Sequence, residues 1–366
     1  MNKEDIIITY GSDATSMTRA LLQSIDIEGL LPDKNASIAL KPNLVVAVTA
    51  DSGATTHPEI LISIIEFLQE KGYHNISIVE SAWVGDSTKE GFRVNGYHQI
   101  SKKYHVPLVD VKDDTYEKKT VEGITMEVSR TILDTDFLIS LPVLKGHCQT
   151  AMTCALKNMK GCLSDRSKRL FHSLGLHRPI AALNAVRAAD LVIVDSLNGD
   201  LDFEEGGNPV ETNRMFACRD SVLCDSFGAS LMGFELKDVP YIEMAEHLGV
   251  GTTDLEKANI IQLNEPSDEP VGRPTGRANY LGRYTEPDSA CSACYGNLIH
   301  ALKRLDEVNR LKNIKQNISI GQGYKGVNDP SKIGVGICTK GLGKSLPGCP
   351  PKAIDMIKFI KELNAE

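Results

Sequence analysis

Short runs of β-branched and aliphatic residues alternate along this chain with longer amphipathic stretches, and no other feature restricts its possible folds as much. The runs Ile6–Thr9, Ser37–Leu40, Ile76–Val79, Pro107–Val109, Phe137–Leu141, Leu191–Val194 and Asn259–Gln262 are mostly continuous apolar runs rather than alternating ones. That is the signature of strands buried on both faces of a mostly parallel sheet. Between them lie helical patterns, clearest over residues 58–71. There Pro58 occupies the first helical position, Ile60, Leu61, Ile64, Ile65 and Leu68 share one face, and Gly72 follows the end. Strand and helix in alternation predict an α/β fold, a mostly parallel sheet with helices on both faces. Residues 115–130 read as a small antiparallel excursion.

The pattern breaks near residues 265–290, where Pro266, Pro270, Gly272, Pro274 and Gly276 crowd a stretch with little apolar content. A domain boundary is expected there. It divides an α/β domain, residues 1–270, from a small C-terminal α/β module rich in cysteine, residues 285–366. The module is expected to hold a helix near 295–311, strands near 317–320 and 333–337, and a last helix near 351–364. A length of 366 residues suits two domains.

Charge and composition exclude some functions. The net charge is −8 and no long basic run occurs, which argues against nucleic-acid binding. No apolar run approaches the roughly 20 residues that span a bilayer. The N-terminus lacks the apolar region of a secretion signal, so a cytoplasmic location is expected. Nine cysteines, an odd number, fit thiols and metal ligands better than a disulfide framework.

Four of those cysteines carry the strongest chemical signal. Cys291 and Cys294 form a Cys-x-x-Cys pair, Cys338 follows after 43 intervening residues, and Cys349 is followed by Pro350 and Pro351. Thiolate sulfur is soft, and four such ligands select an iron–sulfur cluster or zinc. Cys349-Pro350 resembles the closing pair of ferredoxin-type sites, and the ten residues between Cys338 and Cys349 are too many for a zinc knuckle. An iron–sulfur cluster is therefore favoured, four irons over two, with zinc as the alternative. Cys294 just before one predicted helix and Cys349 just before another would aim two positive helix ends at an anionic cluster. Cys148, Cys154, Cys162, Cys218 and Cys224 match no ligand spacing and read as small buried hydrophobes; Cys148, beside His147, is the one with chemical interest.

Two nucleotide-binding motifs fail on context. Gly321, Gly323 and Gly326 have the spacing of a dinucleotide loop, but Asn328, Asp329 and Pro330 prevent a helix from starting. Gly343-Lys344-Ser345 resembles the end of a phosphate loop, yet Cys338 stands where the first glycine belongs and Pro347 blocks the helix.

The carboxyl ends of the predicted strands are unusually polar. One ends in Lys41-Pro42-Asn43, one in Glu80-Ser81, one leads to Lys145-Gly146-His147 and one ends in Asp195. In a parallel sheet these ends share an edge, where ligands bind. Lys41, Lys145, His147 and Asp195 are the candidate catalytic residues, with Asn43, Glu80, Lys157, Asn158 and Glu205 as ligand-binding candidates. The lysines and His147 would favour an anion; Glu80 and Asp195 could hold a metal ion or act as general bases. Lys160 reads as part of a solvated helix face, and His57 as readily begins a helix as binds a ligand. The loop 203–209, with Gly206, Gly207 and Pro209, could close over the same edge. Trp83 reads as a core residue.

Taken together, Lys41-Pro42-Asn43-Leu44, Thr56-His57-Pro58, Lys145-Gly146-His147, residues 156–161, Leu191–Asp195, Glu205–Pro209 and Cys224–Gly233 resemble the family known as domain of unknown function 362, in its iron–sulfur version. The resemblance spans residues 36 to 264. It implies an α/β domain often found beside ferredoxin-type modules in anaerobes, and it implies no particular reaction. The tail cysteines depart from the C-x-x-C-x-x-C-x-x-x-C run of bacterial ferredoxins.

Three functions follow as expectations. The first is an iron–sulfur protein that binds a small anionic molecule at the strand edge and performs oxidoreductase or lyase-like chemistry. The second is a non-catalytic electron-transfer or assembly protein with a redox partner protein. The third is a metal-dependent enzyme whose cysteine module is structural. None of them involves nucleic acid or membrane.

Overall fold

The computed structural model describes residues 1–266 and 272–363. These fall into two compact units: residues 1–82, 86–167 and 177–274 form the first, and residues 83–85, 168–176 and 275–366 the second. The expected boundary falls partly on residues 267–271, and the expected end of the last helix at residue 364; both lie outside the described residues.

The first unit is built on an eight-stranded sheet. Its order is Asn259–Gln262, Asp5–Tyr10, Pro209–Cys218, Leu191–Asp200, Phe137–Leu141, Ile38–Pro42, Ile76–Glu80, Leu108–Asp110. All seven expected strands are present, but Asn259–Gln262, at the sheet edge, is largely exposed rather than buried on both faces, having only one neighbour strand. All neighbours pair in parallel except Pro209–Cys218, which runs antiparallel to both of its neighbours.

One face of the sheet presents Ile7, Ile38, Leu40, Ile78, Ile139 and Ile193 to the helices Ala14–Ser24 and Pro58–Glu70. On the other face Phe216 meets Phe227 of the helix Ser221–Met232 edge to face at 5.2 Å. The sheet is thus covered on both sides, and this explains why its central strands tolerate no polar alternation. Residues 116–129 form the expected antiparallel hairpin.

The second unit has a four-stranded parallel sheet in the order Thr285–Pro287, Ile318–Ile320, Asp329–Val335, Leu342–Leu346, with helices Ser292–Glu307 and Ala353–Leu363. Gly343, Lys344 and Ser345 lie on the last of these strands, and residues 322–324 make only a single 3₁₀ turn, so neither glycine motif opens an α-helix. Trp83 is half-buried and belongs with this unit rather than with the core of the large sheet.

Candidate functional site

The strand ends of the large sheet do meet. Lys41, the penultimate residue of its strand, is 1% exposed and donates to Glu80 Oε2 at 2.6 Å, to Asn158 Oδ1 at 3.3 Å and to the Pro42 carbonyl at 3.1 Å. Gly161 closes over this pair. A Cβ at that position would lie 2.0 Å from Glu80 Oε1 and 2.7 Å from Lys41 Nζ, so only glycine allows the backbone this close.

Asn158 Oδ1 also accepts from Asn43 Nδ2 at 2.9 Å, and Asn43 Oδ1 accepts from Lys145 Nζ at 2.9 Å. The chain of contacts from Lys41 to Lys145 is therefore unbroken. Lys145 is fully buried; it donates further to the carbonyls of Ala54 and Glu204. Burial pushes its ammonium down to about 7 against the pull of Glu204. Three acceptors match its three N–H bonds, so the geometry is that of a satisfied post rather than a free anion receptor.

His147 follows two residues later. Its Nδ1 accepts from the backbone N–H of Gln149 at 3.0 Å and of Thr150 at 3.1 Å, so the ring proton sits on Nε2, which donates to Glu204 Oε2 at 2.8 Å. Burial lowers its basicity to about 4, although Glu204 pulls the other way. A second ring proton would break both backbone contacts, and we read this pair as neutral imidazole on carboxylate. Lys157 Nζ reaches the same Glu204 oxygen at 2.8 Å and Thr153 Oγ1 at 3.1 Å. Burial raises the Glu204 carboxyl, but His147 and Lys157 hold it well below its ordinary value. Lys160, expected on a solvated face, is half-buried and its charge is felt by both His147 and Glu204.

Asp195 is fully buried and, contrary to expectation, lies in the middle of its strand, which runs on past a register shift to Asp200 because it keeps pairing with Pro209–Cys218. Its Oδ2 accepts from His57 Nδ1 at 2.8 Å and from the His57 backbone N–H at 2.9 Å. Burial disfavours the imidazolium, yet the hydrogen bond and charge of Asp195 outweigh it and raise His57. The ring remains 20% exposed. His57 is the N-cap of the helix Pro58–Glu70, as the helix-start reading expected.

The loop after Leu191–Asp200 is organised by Asp200, whose carboxylate accepts from the backbone N–H groups of Asp202, Phe203 and Asn208. It packs against residues 52–54: a Cβ on Gly206 would stand 2.5 Å from the Ser52 carbonyl. This loop delivers Glu204 and Glu205 to the lysines. Glu205 is the exception in an otherwise satisfied network. Its stem is partly exposed, but both carboxyl oxygens are buried with no hydrogen-bond partner beyond its own backbone N–H. Burial first, then the charge of Glu204, push it up to about 7. Cys148 lies close enough that burial and the charges of Glu205 and Glu204 hold its thiol well above the ordinary range.

Sequence reasoning missed Glu204, and it gave His57 no acid–base role. The available signals were the doubled acid at 204–205 in a glycine loop and the Thr56-His57-Pro58 triplet.

The four tail cysteines all line one pocket of the second unit, with Val84, Ile320, Val335, Ile337 and Pro350 among its apolar walls. The pocket holds about 430 Å³ including its open mouth. Cys291 is the N-cap of the 16-residue helix Ser292–Glu307, so Cys294 lies inside the first turn rather than before it. Cys294 donates its N–H to the Cys291 carbonyl at 3.0 Å. Its thiol is pushed up to about 12 by burial first and then by Cys291, Cys349 and Cys338. Gly336 and Gly348 take positive φ values of 95° and 140° and flank Cys338 and Cys349. Four soft donors, a helix N-terminus and close-lying backbone have the chemistry to hold an anionic metal centre.

Among the described residues the donor group whose ligand atoms lie within 4.8 Å of one another is a different one, Cys154, Cys224 and Asp225. Asp225 there accepts from Ala155 N at 2.7 Å and from Leu156 N, capping the helix Ala155–Asn158, and its carboxylate is already occupied.

Fold and sites together define an α/β protein with a buried polar network at its strand edge and a separate four-thiol module. The chain belongs to the family described as domain of unknown function (DUF362), whose sequence model matches residues 38–230. A thylakoid-associated protein of Synechocystis is 24% identical over 254 residues, covering 65% of this chain and 76% of that protein.

Among solved structures, the lactate racemase apoprotein of Thermoanaerobacterium thermosaccharolyticum aligns with a TM-score of 0.42 and 14% identity over 63% of this chain. A Thermotoga maritima protein aligns with a TM-score of 0.36 and 13% identity over 50% of it. The chain spans 58% and 51% of these two structures. No helix among the described residues is long and apolar enough to cross a membrane.

Proposed function

We propose that this chain is a cytoplasmic iron–sulfur protein: Cys291, Cys294, Cys338 and Cys349 hold a four-iron cluster, and the strand edge of the first unit binds a small anionic molecule in redox-linked chemistry. The observation that carries the reading is the convergence of four thiols, distant in sequence, on one pocket. Spacing supports iron over zinc. Tetrahedral zinc, with Zn–S of about 2.3 Å, draws its sulfurs to about 3.8 Å of each other. Among the described residues, the only donor triad within 4.8 Å is the one around Asp225, so the tail sulfurs stand further apart.

The proposed division of labour in the first unit follows from which groups have bonding capacity left. Lys41, Lys145 and His147 spend theirs on Glu80, Asn158, Asn43 and Glu204 and serve to position the edge. Lys157 keeps a third N–H for an anionic group. His57, backed by Asp195, and Glu205 are the proton carriers, since both depart from their ordinary acidity in the direction that favours exchange near neutral pH. When bound, the cluster would supply single electrons.

Protein purified without oxygen should carry about four irons and four sulfides per chain. Colourless protein with stoichiometric zinc would overturn the assignment.

A further inference from the structure

The mouth of the four-thiol pocket combines two features. It is apolar and exposed at once: Ile337, in the pocket lining, is 55% exposed, and Cys349 is exposed beside Pro350. The loops bearing Cys338 and Cys349 lie side by side there, Ile337 N donating to Gly348 O at 2.9 Å.

It is also basic in an acidic protein. Residues 275–366 contain fourteen Lys or Arg and eight Asp or Glu, although the whole chain carries −8. Arg169 lines the pocket, the charge of Lys325 is felt by Cys338, and Lys340 and Lys352 each stand two residues from a lining residue, exposed. None of these four cations forms an ion pair among the described residues. Asp86, Asp288 and Asp355 are acids close in sequence to this rim. An apolar centre ringed by unspent positive charge is the complement of an acidic protein surface.

We propose that this rim docks a small acidic one-electron carrier protein, bringing its redox centre to the exposed side of the four thiols. This rests on the iron–sulfur reading given above and names the partner class for it. In the step it serves, one electron leaves the reduced carrier and enters the oxidised cluster; no covalent bond forms or breaks and no proton moves.

The test uses the full chain prepared without oxygen, an acidic [2Fe–2S] ferredoxin as probe and a basic cytochrome c as the opposite-charge control. Ferredoxin should bind, cytochrome c should not, and affinity should fall about tenfold or more between low and physiological salt. Lys325→Glu with Lys340→Glu should weaken ferredoxin binding at least tenfold while iron content and chemical reduction by dithionite stay unchanged. Equal ferredoxin affinity for the charge-reversed variant, or preference for cytochrome c, would overturn the docking surface even if iron is present. Ferredoxin binding that depends on these lysines in iron-free protein would uphold the surface and sink the cluster.

Discussion

His57 and Asp195, 138 residues apart in sequence, are joined twice: the imidazole Nδ1 and the backbone N–H of His57 both donate to the same carboxylate oxygen, at 2.8 and 2.9 Å. The pairing fixes the ring tautomer and leaves Nε2 as the free nitrogen of a partly exposed ring. Replacing Asp195 by Asn removes the charge that raises His57 while leaving its burial in place. The imidazole should then titrate below its ordinary 6.5 instead of above it, as followed by the pH dependence of its ring proton resonances. The linked stability has a definite sign. In the native protein the His57–Asp195 contribution is fully present below the ordinary histidine value and fades as pH rises through the higher folded value. An unchanged His57 titration in Asp195→Asn would refute the coupling.

Lys41 and Glu80 are a buried ion pair, 1% and 3% exposed at the side chain. Breaking such a pair strands one charge in the interior. Lys41→Met alone should cost about 3–5 kcal/mol in urea unfolding, whereas Lys41→Met with Glu80→Leu should recover much of that loss. If the double variant is no more stable than the single, the pair is not the source of the cost.

Glu205 sets a pH dependence of the opposite kind to an ion-paired acid. Its folded value, about 7, lies above the ordinary 4.5, so the folded protein keeps a proton that the unfolded chain has released. Stability therefore falls as pH rises between those values, and above them the buried carboxylate costs about 3 kcal/mol. Glu205→Gln should raise the urea midpoint at pH 8 and change it little at pH 4.5. A variant equally destabilised at both pH values would show that the carboxyl finds a partner in solution.

Much of this was legible beforehand, for physical reasons. Strands such as Ile76–Glu80 and Phe137–Leu141 are buried on both faces, so their sequences are mostly apolar, with polar groups only where a partner meets them or at the strand end. The strand Pro209–Cys218 was not legible. It opens on proline, its first half is half-exposed and polar, and its place between two strands is fixed by antiparallel pairing with residues about 200 positions away at one side. The convergence of Lys41, Glu80, Asn43 and Lys145 could be expected because parallel topology brings strand ends together. That Glu204 would take both His147 and Lys157, or that residues 83–85 and 168–176 would group with the second unit, depends on long-range packing that leaves no local mark.

The most direct measurement is iron per chain in protein made without oxygen, compared across Cys291→Ser, Cys294→Ser, Cys338→Ser and Cys349→Ser, with Cys218→Ser as the buried control. The account predicts about four irons in the unaltered chain and in the control, and loss or severe depletion in each of the four tail variants. Full iron retention in any two tail variants, or iron loss in the control alone, would contradict it.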